Sequence, residues 1–177
     1  MVVGKKEGLN LCEVSILPVA GKLVAFMREN SHLGWPCYKT ISDDRGESWS
    51  EPVAFPLPGC HRPVAGHLRD GRILITYRFV QGGGRLWGKQ AQNFFAALTD
   101  DESALAGQYK DARTSIMPVD FDRAPIADLG YSGWVQLDDD EVYIVSYIVD
   151  NAPKGQIRGY SLHPSDFLLD KPDVPGQ

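Results

Sequence analysis

Three hairpins of one design recur along the chain, and they constrain its fold more than any other feature. Ser15-Ile16-Leu17 leads into Gly21-Lys22-Leu23-Val24-Ala25-Phe26, Gly66-His67-Leu68 into Gly71-Arg72-Ile73-Leu74-Ile75-Thr76, and Val135-Gln136-Leu137 into Asp140-Glu141-Val142-Tyr143-Ile144-Val145. Alternating β-formers around a tight turn define each unit, with Ala20-Gly21, Asp70-Gly71 and Asp138-Asp139-Asp140 as the turns. Further strand-like runs follow, including Cys37 to Ile41, Trp49 to Phe55, Asn93 to Thr99 and Gln156 to Leu162. No stretch has a sustained helical period.

The periods, about 50 and 69 residues, suit four-stranded repeats arranged as the blades of a β-propeller. A β-sandwich is the alternative with many short strands. The expected fold is all-β, a single partial propeller domain over 1–170. Its blades fall at about 9–56, 59–122 and 126–169, and 171–177 forms a proline-containing tail. Closed propellers need roughly four to eight blades, so three amount to about half of a six-bladed ring. Open blade edges invite association. Either two copies complete a ring as a homodimer, or the chain is a fragment of a longer protein.

A net charge of -5 and a pI near 5.3 argue against nucleic-acid and anionic-membrane partners. The start, Met1-Val2-Val3-Gly4-Lys5-Lys6-Glu7, lacks a signal peptide's apolar region, and no run approaches the roughly 20 residues that span a bilayer. A cytoplasmic location is expected if Met1 is the start. Cys12, Cys37 and Cys60 show neither a disulfide framework nor metal-ligand spacing, and the four histidines are scattered. No metal cofactor is implied.

Ser42-Asp43-Asp44-Arg45-Gly46-Glu47-Ser48-Trp49 fits Ser-x-Asp-x-Gly-x-Ser/Thr-Trp at every fixed position. Asp44 can accept backbone N–H groups, Gly46 supplies a positive φ, and Trp49 is expected to begin the returning strand. The segment resembles the Asp-box of sialidases and related propellers, a hairpin closure without chemistry of its own. The second repeat has only a degenerate counterpart, Thr99-Asp100-Asp101-Glu102-Ser103, expected to lead into a polar loop.

With Ala20-Gly21 as a two-residue turn, Glu13 should face Arg28 across the first hairpin. On geometry alone this is either a surface ion pair of under about 1 kcal/mol or a functional pair. Glu-x-x-x-x-Leu, a turn, and a strand ending in Arg resembles the sialidase blade that carries the catalytic glutamate and one arginine of a triad. Gly130-Tyr131-Ser132-Gly133-Trp134 is similar to the segment holding the nucleophilic tyrosine, and the repeat aligns Tyr131 with Arg62. The resemblance implies a retaining exo-α-sialidase type of glycoside hydrolase, with Tyr131 as nucleophile, Glu13 as base and Arg28 binding an acidic sugar or glycoconjugate.

That chemistry suits those residue types. A neutral phenol approaches an anionic sugar where a carboxylate nucleophile would be repelled, and sialidases are the tyrosine exception to the two-carboxylate rule. A planar guanidinium binds a carboxylate through two parallel hydrogen bonds. For the further arginine, Arg62, Arg78 and Arg85 remain open, and the loop Gln81 to Gln92 with Trp87 either shapes substrate selection or only connects. The departures are as informative. No segment before Glu13 is long enough for the blade that carries the first triad arginine and the acid/base aspartate in sialidases, so weak activity or none is expected of this chain alone. The competing expectation is a non-catalytic carbohydrate-binding or interaction module.

Overall fold

The computed structural model describes residues 3–31, 36–81 and 91–167. These residues form three antiparallel sheets in chain order. The first sheet contains β1 (Leu11–Val19), β2 (Lys22–Glu29), β3 (Pro36–Ser42) and β4 (Val53–Pro58). In the second are β5 (Cys60–His67), β6 (Ile73–Gln81), β7 (Ala91–Thr99) and β8 (Ser115–Phe121). A short helix, α1 (Asp101–Leu105), lies between β7 and β8. The third sheet, ordered β11-β10-β9, contains β9 (Gly133–Gln136), β10 (Val142–Ile148) and β11 (Gln156–Leu162).

Period-2 alternation explains the stacking. On β6, Ile73, Ile75 and Tyr77 join Leu17, Val19, Val24 and Phe26 in a core between the first and second sheets. The alternate residue Leu74 joins Phe94, Leu129, Val142 and Ile144 in a core between the second and third. Every residue from Ile73 to Tyr77 is buried because both faces of the strand are covered. Gly66 is required where the sheets meet, since a Cβ there would lie 2.6 Å from the Trp134 ring. The Trp134 Nε1–H donates to the Val64 carbonyl at 3.2 Å.

The two outermost faces lack such cover. Val14 and Ile16 are half exposed on the first sheet, and Tyr143, Val145 and Ile157 are exposed on the third. The apolar alternation of the sequence therefore continues onto faces that the described residues leave partly uncovered.

Several expectations are corrected. The returning strand of the first sheet begins at Val53, not at Trp49, because Ser48 and Trp49 are held in the turn and Ser50 N–H closes it onto the Ile41 carbonyl at 2.8 Å. The degenerate segment Thr99 to Ser103 runs into a helix, and the polar stretch after it leads to a further strand. Asp100 caps α1 by accepting from the Ser103 N–H at 2.7 Å, and β8 follows. The second hairpin has a three-residue loop, Arg69 to Gly71, closed by Leu68 N–H on the Arg72 carbonyl at 2.8 Å. Consequently Val19, not Leu17, is the counterpart of Leu68 and Leu137. The third sheet has three strands among the described residues, and the tail 171–177 lies outside them.

Candidate active site

One irregularity, repeated in every sheet, builds the site. In the first hairpin Ser15 pairs with Phe26, but Cys12, not Glu13, pairs with Arg28. In the second, Val64 pairs with Thr76 and His61 with Arg78. In the third, Gly133 pairs with Val145, and Gly130 N–H donates to the Tyr147 carbonyl at 3.0 Å. Each inner strand thus gains one residue, a β-bulge, at the same rank. Glu13 and Arg62 sit in the first two bulges with φ of 46° and 54°, and Tyr131 follows Gly130 at 97° in the third. The backbone bends at each of these points, and all three side chains are delivered to one lip of the assembly.

They meet there. The Tyr131 hydroxyl donates to Glu13 Oε1 at 3.0 Å. Glu13 Oε2 accepts from Arg28 Nη1 at 3.1 Å and from the backbone N–H of Arg62 at 3.1 Å. The Glu13–Arg28 contact expected from the sequence is present, although the bulge moves its backbone register by one. Their side chains are only 17% and 13% exposed, so this is not the solvated surface pair that the sheet geometry alone allows. Arg28 Nη2 also donates to Asn30 Oδ1 at 2.8 Å, which fixes the plane of the guanidinium.

The second-strand rank opposite the bulges holds Arg28, Arg78 and Tyr147. Arg78 is buried, with Nη1 3.4 Å from Gln92 Oε1. Its guanidinium carbon lies 5.1 Å from the centre of the Tyr131 ring, and that of Arg62 lies 5.2 Å away, both within cation–π range. A Cβ at Gly130 would meet Arg78 Cβ at 2.8 Å, so glycine is needed both for the positive φ and for this approach. Arg85 and Trp87 lie outside the described residues.

The segment that carries Tyr131 is tied down by carboxylates. Asp122 accepts from the backbone N–H groups of Ala124, Asp128 and Asp150, and Asp150 is bonded by Arg123 at 2.6 Å and by Arg158 at 3.0 Å. Those guanidinium bonds, Arg123 first, hold the Asp150 carboxyl well below the usual range. Arg158 also reaches Asp120 of β8 at 2.6 Å, so the connector before Tyr131 is anchored to both neighbouring sheets.

The cysteines beneath the lip are not activated. Burial pushes the Cys12 thiol up despite Arg28 nearby, and burial pushes the Cys60 thiol far up, with the neighbouring Cys37 adding to it. Among the described residues no cluster of three or more His, Cys, Asp or Glu could hold a metal ion. Two clefts of about 260 Å³ lie at the opposite, turn-bearing end, lined by Arg72, Asp70, Asp140 and Arg113 among others. The Glu13 cluster lines neither of them. Sequence reasoning missed Tyr147, Asp128 and the buried Gln92; aligning second strands to their ends would have exposed Tyr147 at the rank of the two arginines.

No family model and no curated protein matches the chain. Among solved structures it is similar to the α-L-arabinanase of Penicillium chrysogenum complexed with arabinobiose, at 11% identity and a TM-score of 0.53, over 85% of this chain and 45% of that one. The fold is a partial β-propeller. The chain is also similar to the sialidase of Trypanosoma rangeli in complex with the inhibitor DANA, at 17% identity and a TM-score of 0.49, over 83% of this chain and 23% of that one. Both neighbours are glycoside hydrolases built on propellers. The chain spans less than half the length of either. Its three sheets are blades, and the lip is where the bulged inner strands open.

Proposed function

We propose that this chain carries the nucleophile side of a sialidase-like, retaining glycoside hydrolase acting on terminal sialic acid or a related acidic sugar. The observation that carries this reading is the 3.0 Å hydrogen bond from Tyr131 to Glu13, made between blades that are not adjacent in sequence. A nucleophile and base within hydrogen-bond reach, with the base oriented by a third group, is the arrangement covalent catalysis requires. Here the orienting groups are the Arg28 guanidinium and the Arg62 N–H.

In the first step Tyr131 Oη bonds to the anomeric carbon as its proton passes to Glu13 and the glycosidic C–O bond breaks. The departing oxygen leaves as the anion and is protonated by bulk water. A second water then attacks the anomeric carbon, the C–O bond to Tyr131 breaks as Glu13 returns its proton to the phenolic oxygen, and the attacking water's proton passes to solvent. Exposed Arg62, beside the Tyr131 ring, is placed to bind the substrate carboxylate, while Arg28 and buried Arg78 add fixed positive charge. No acid for the leaving group is assigned here, and its contribution of typically 10² to 10⁴ in rate is the reason weak turnover is expected of this chain.

Kinetics on a fluorogenic sialoside test the proposal. Tyr131→Phe should lower turnover by roughly 10²-fold or more with an unchanged melting temperature. Turnover that survives this substitution would remove Tyr131 from the chemistry. A second reading, carbohydrate binding without hydrolysis, is favoured by the three arginines at the lip, which need no acid to hold a carboxylate. Glycan binding that persists in Glu13→Gln with no hydrolysis by either protein would select it.

A further inference from the structure

Tyr131 is poorly fixed by its own backbone. It precedes β9, belongs to no strand, and is 52% exposed. A nucleophile must nevertheless be held in direction, since a misplacement of about 1 Å can cost on the order of 100-fold in rate. Something other than the sheet ladder has to supply that restraint.

We propose that Tyr147, pinned by Asp128, is the positioning residue that directs the Tyr131 hydroxyl toward Glu13. The inference rests on the reading of Tyr131 as nucleophile. The Tyr147 ring stands edge-on to the Tyr131 ring, with centroids 5.9 Å apart at 88°. Edge-to-face pairs at this separation are favourable and directional. The Tyr147 hydroxyl donates to Asp128 Oδ1 at 2.6 Å, so the buttressing ring cannot turn without breaking a charge-assisted bond.

The backbone repeats the same link. Gly130 N–H donates to the Tyr147 carbonyl at 3.0 Å, Val149 N–H to the Asp128 carbonyl at 3.2 Å, and Leu129 bridges Ile148. Asp128 is itself held through its N–H by Asp122 at 3.0 Å. Tyr147 thus transmits the position of β10 to a residue that β10 does not pair with. Arg62 and Arg78 of the second blade contact the same Tyr131 ring, so the phenol is restrained by three side chains as well as by its bond to Glu13.

The division of labour between the two tyrosines is chemical as well. Burial first, then the bond to Asp128, pushes the Tyr147 phenol well above its ordinary range, with Arg78 opposing. Tyr147 therefore stays a neutral donor and does not compete as a nucleophile.

The experiment compares Tyr147→Phe, which keeps the ring, Tyr147→Leu, which removes it, and Asp128→Asn, which keeps an acceptor. Two readouts are used on the full chain: sialoside kinetics, and NMR of ¹³C-labelled tyrosine rings with Tyr131 assigned through Tyr131→Phe. On this proposal kcat falls modestly in Asp128→Asn, further in Tyr147→Phe and by roughly 10- to 100-fold in Tyr147→Leu, with KM within about twofold. The Tyr131 ring should lose order in the same sequence. Folded Tyr147→Leu with an unchanged Tyr131 ring signal and order overturns the positioning role, whatever the kinetics. A wild-type chain with no turnover on acidic sugars counts against the proposed function instead, and the NMR comparison still decides the role of Tyr147. Should Tyr147→Leu fail to fold, Tyr147→Phe and Asp128→Asn carry the same decision.

Discussion

The two ends of the blades spend their polar residues differently. At the turn end the polar groups of Ser42 to Ser48 are satisfied within their own segment, although Arg69 of the second hairpin reaches Asp138 and Asp140 of the third. Asp44 accepts from Ser42 Oγ at 2.7 Å and from Ser48 N–H at 2.9 Å, and Gly46 N–H donates to Ser42 Oγ at 2.8 Å. Asp100 caps its own helix in the same way. At the lip, Glu13, Arg28, Arg62 and Tyr131 come from three blades and satisfy one another across chain separations of up to 118 residues. Local closure stabilises an element, whereas only long-range closure can assemble a reacting group with its base.

Lys39 makes a long-range link of a different kind. This fully buried side chain leaves the first sheet and donates to the Ser103 and Ala104 carbonyls at 2.7 and 2.6 Å, with its charge 5.1 Å from the Phe55 ring centre. It completes the C-terminal end of α1, whose last turn has no basic residue of its own. Burial lowers its pKa to about 8.

The largest effect should come from breaking the lip at its tightest point. In Gly130→Ala the new Cβ meets Arg78 Cβ at 2.8 Å and Cα at 3.3 Å, at a φ of 97°. We expect a loss of roughly 3–5 kcal/mol in denaturant unfolding, strain and overpacking both contributing, together with loss of turnover. A variant with wild-type stability would show that the third bulge is not constrained by Arg78.

Next is Lys39→Met. A folded pKa of about 8 against an unfolded value near 10.4 means that the unfolded chain binds more protons between them. The stability of the wild type relative to Lys39→Met should therefore rise as pH increases from about 8 to about 10.4, by up to about 3 kcal/mol. Urea unfolding at intervals across that range measures the difference. A flat or falling difference would mean that Lys39 is not desolvated.

The smallest effect is expected of Asp44→Ala, confined to the turn end. Bonds from Ser48 and Ser42 hold the Asp44 carboxyl well below its ordinary range, so its stabilisation is fully present above about pH 4 and fades as pH falls further. Thermal melts should show a small deficit in the variant at pH 7 that shrinks toward pH 2, with turnover at neutral pH unaffected. An equal loss of turnover would link the two ends.

Legibility in the sequence follows the same division. Ala20-Gly21 announces a two-residue hairpin loop, and its φ values of 45° and 80° give the register that pairs Ser15 with Phe26. Nothing in Cys12-Glu13-Val14 or His61-Arg62-Pro63 announces a bulge, because a positive φ at glutamate or arginine is imposed by the surroundings and not favoured by the residue. The meeting of Glu13 and Tyr131 was accessible only through a family resemblance, since no periodicity relates residues on separate blades. Strand β8 was hidden because Pro118 interrupts its apolar residues Ile116, Met117, Val119 and Phe121 and breaks their alternation. Lys39 was hidden because a buried lysine is legible only once α1 is in place above it.

The bulges have a consequence for how such a site can change over time. Each presents one side chain at the lip while the rest of its strand goes on filling the core, so side-chain identity at that rank answers to the lip more than to the core. The chain holds a carboxylate, a guanidinium and a phenol in three equivalent sockets of one scaffold. Exchanging the occupant of a socket alters the chemistry without redesigning a blade, and duplicating a blade adds another socket to be filled.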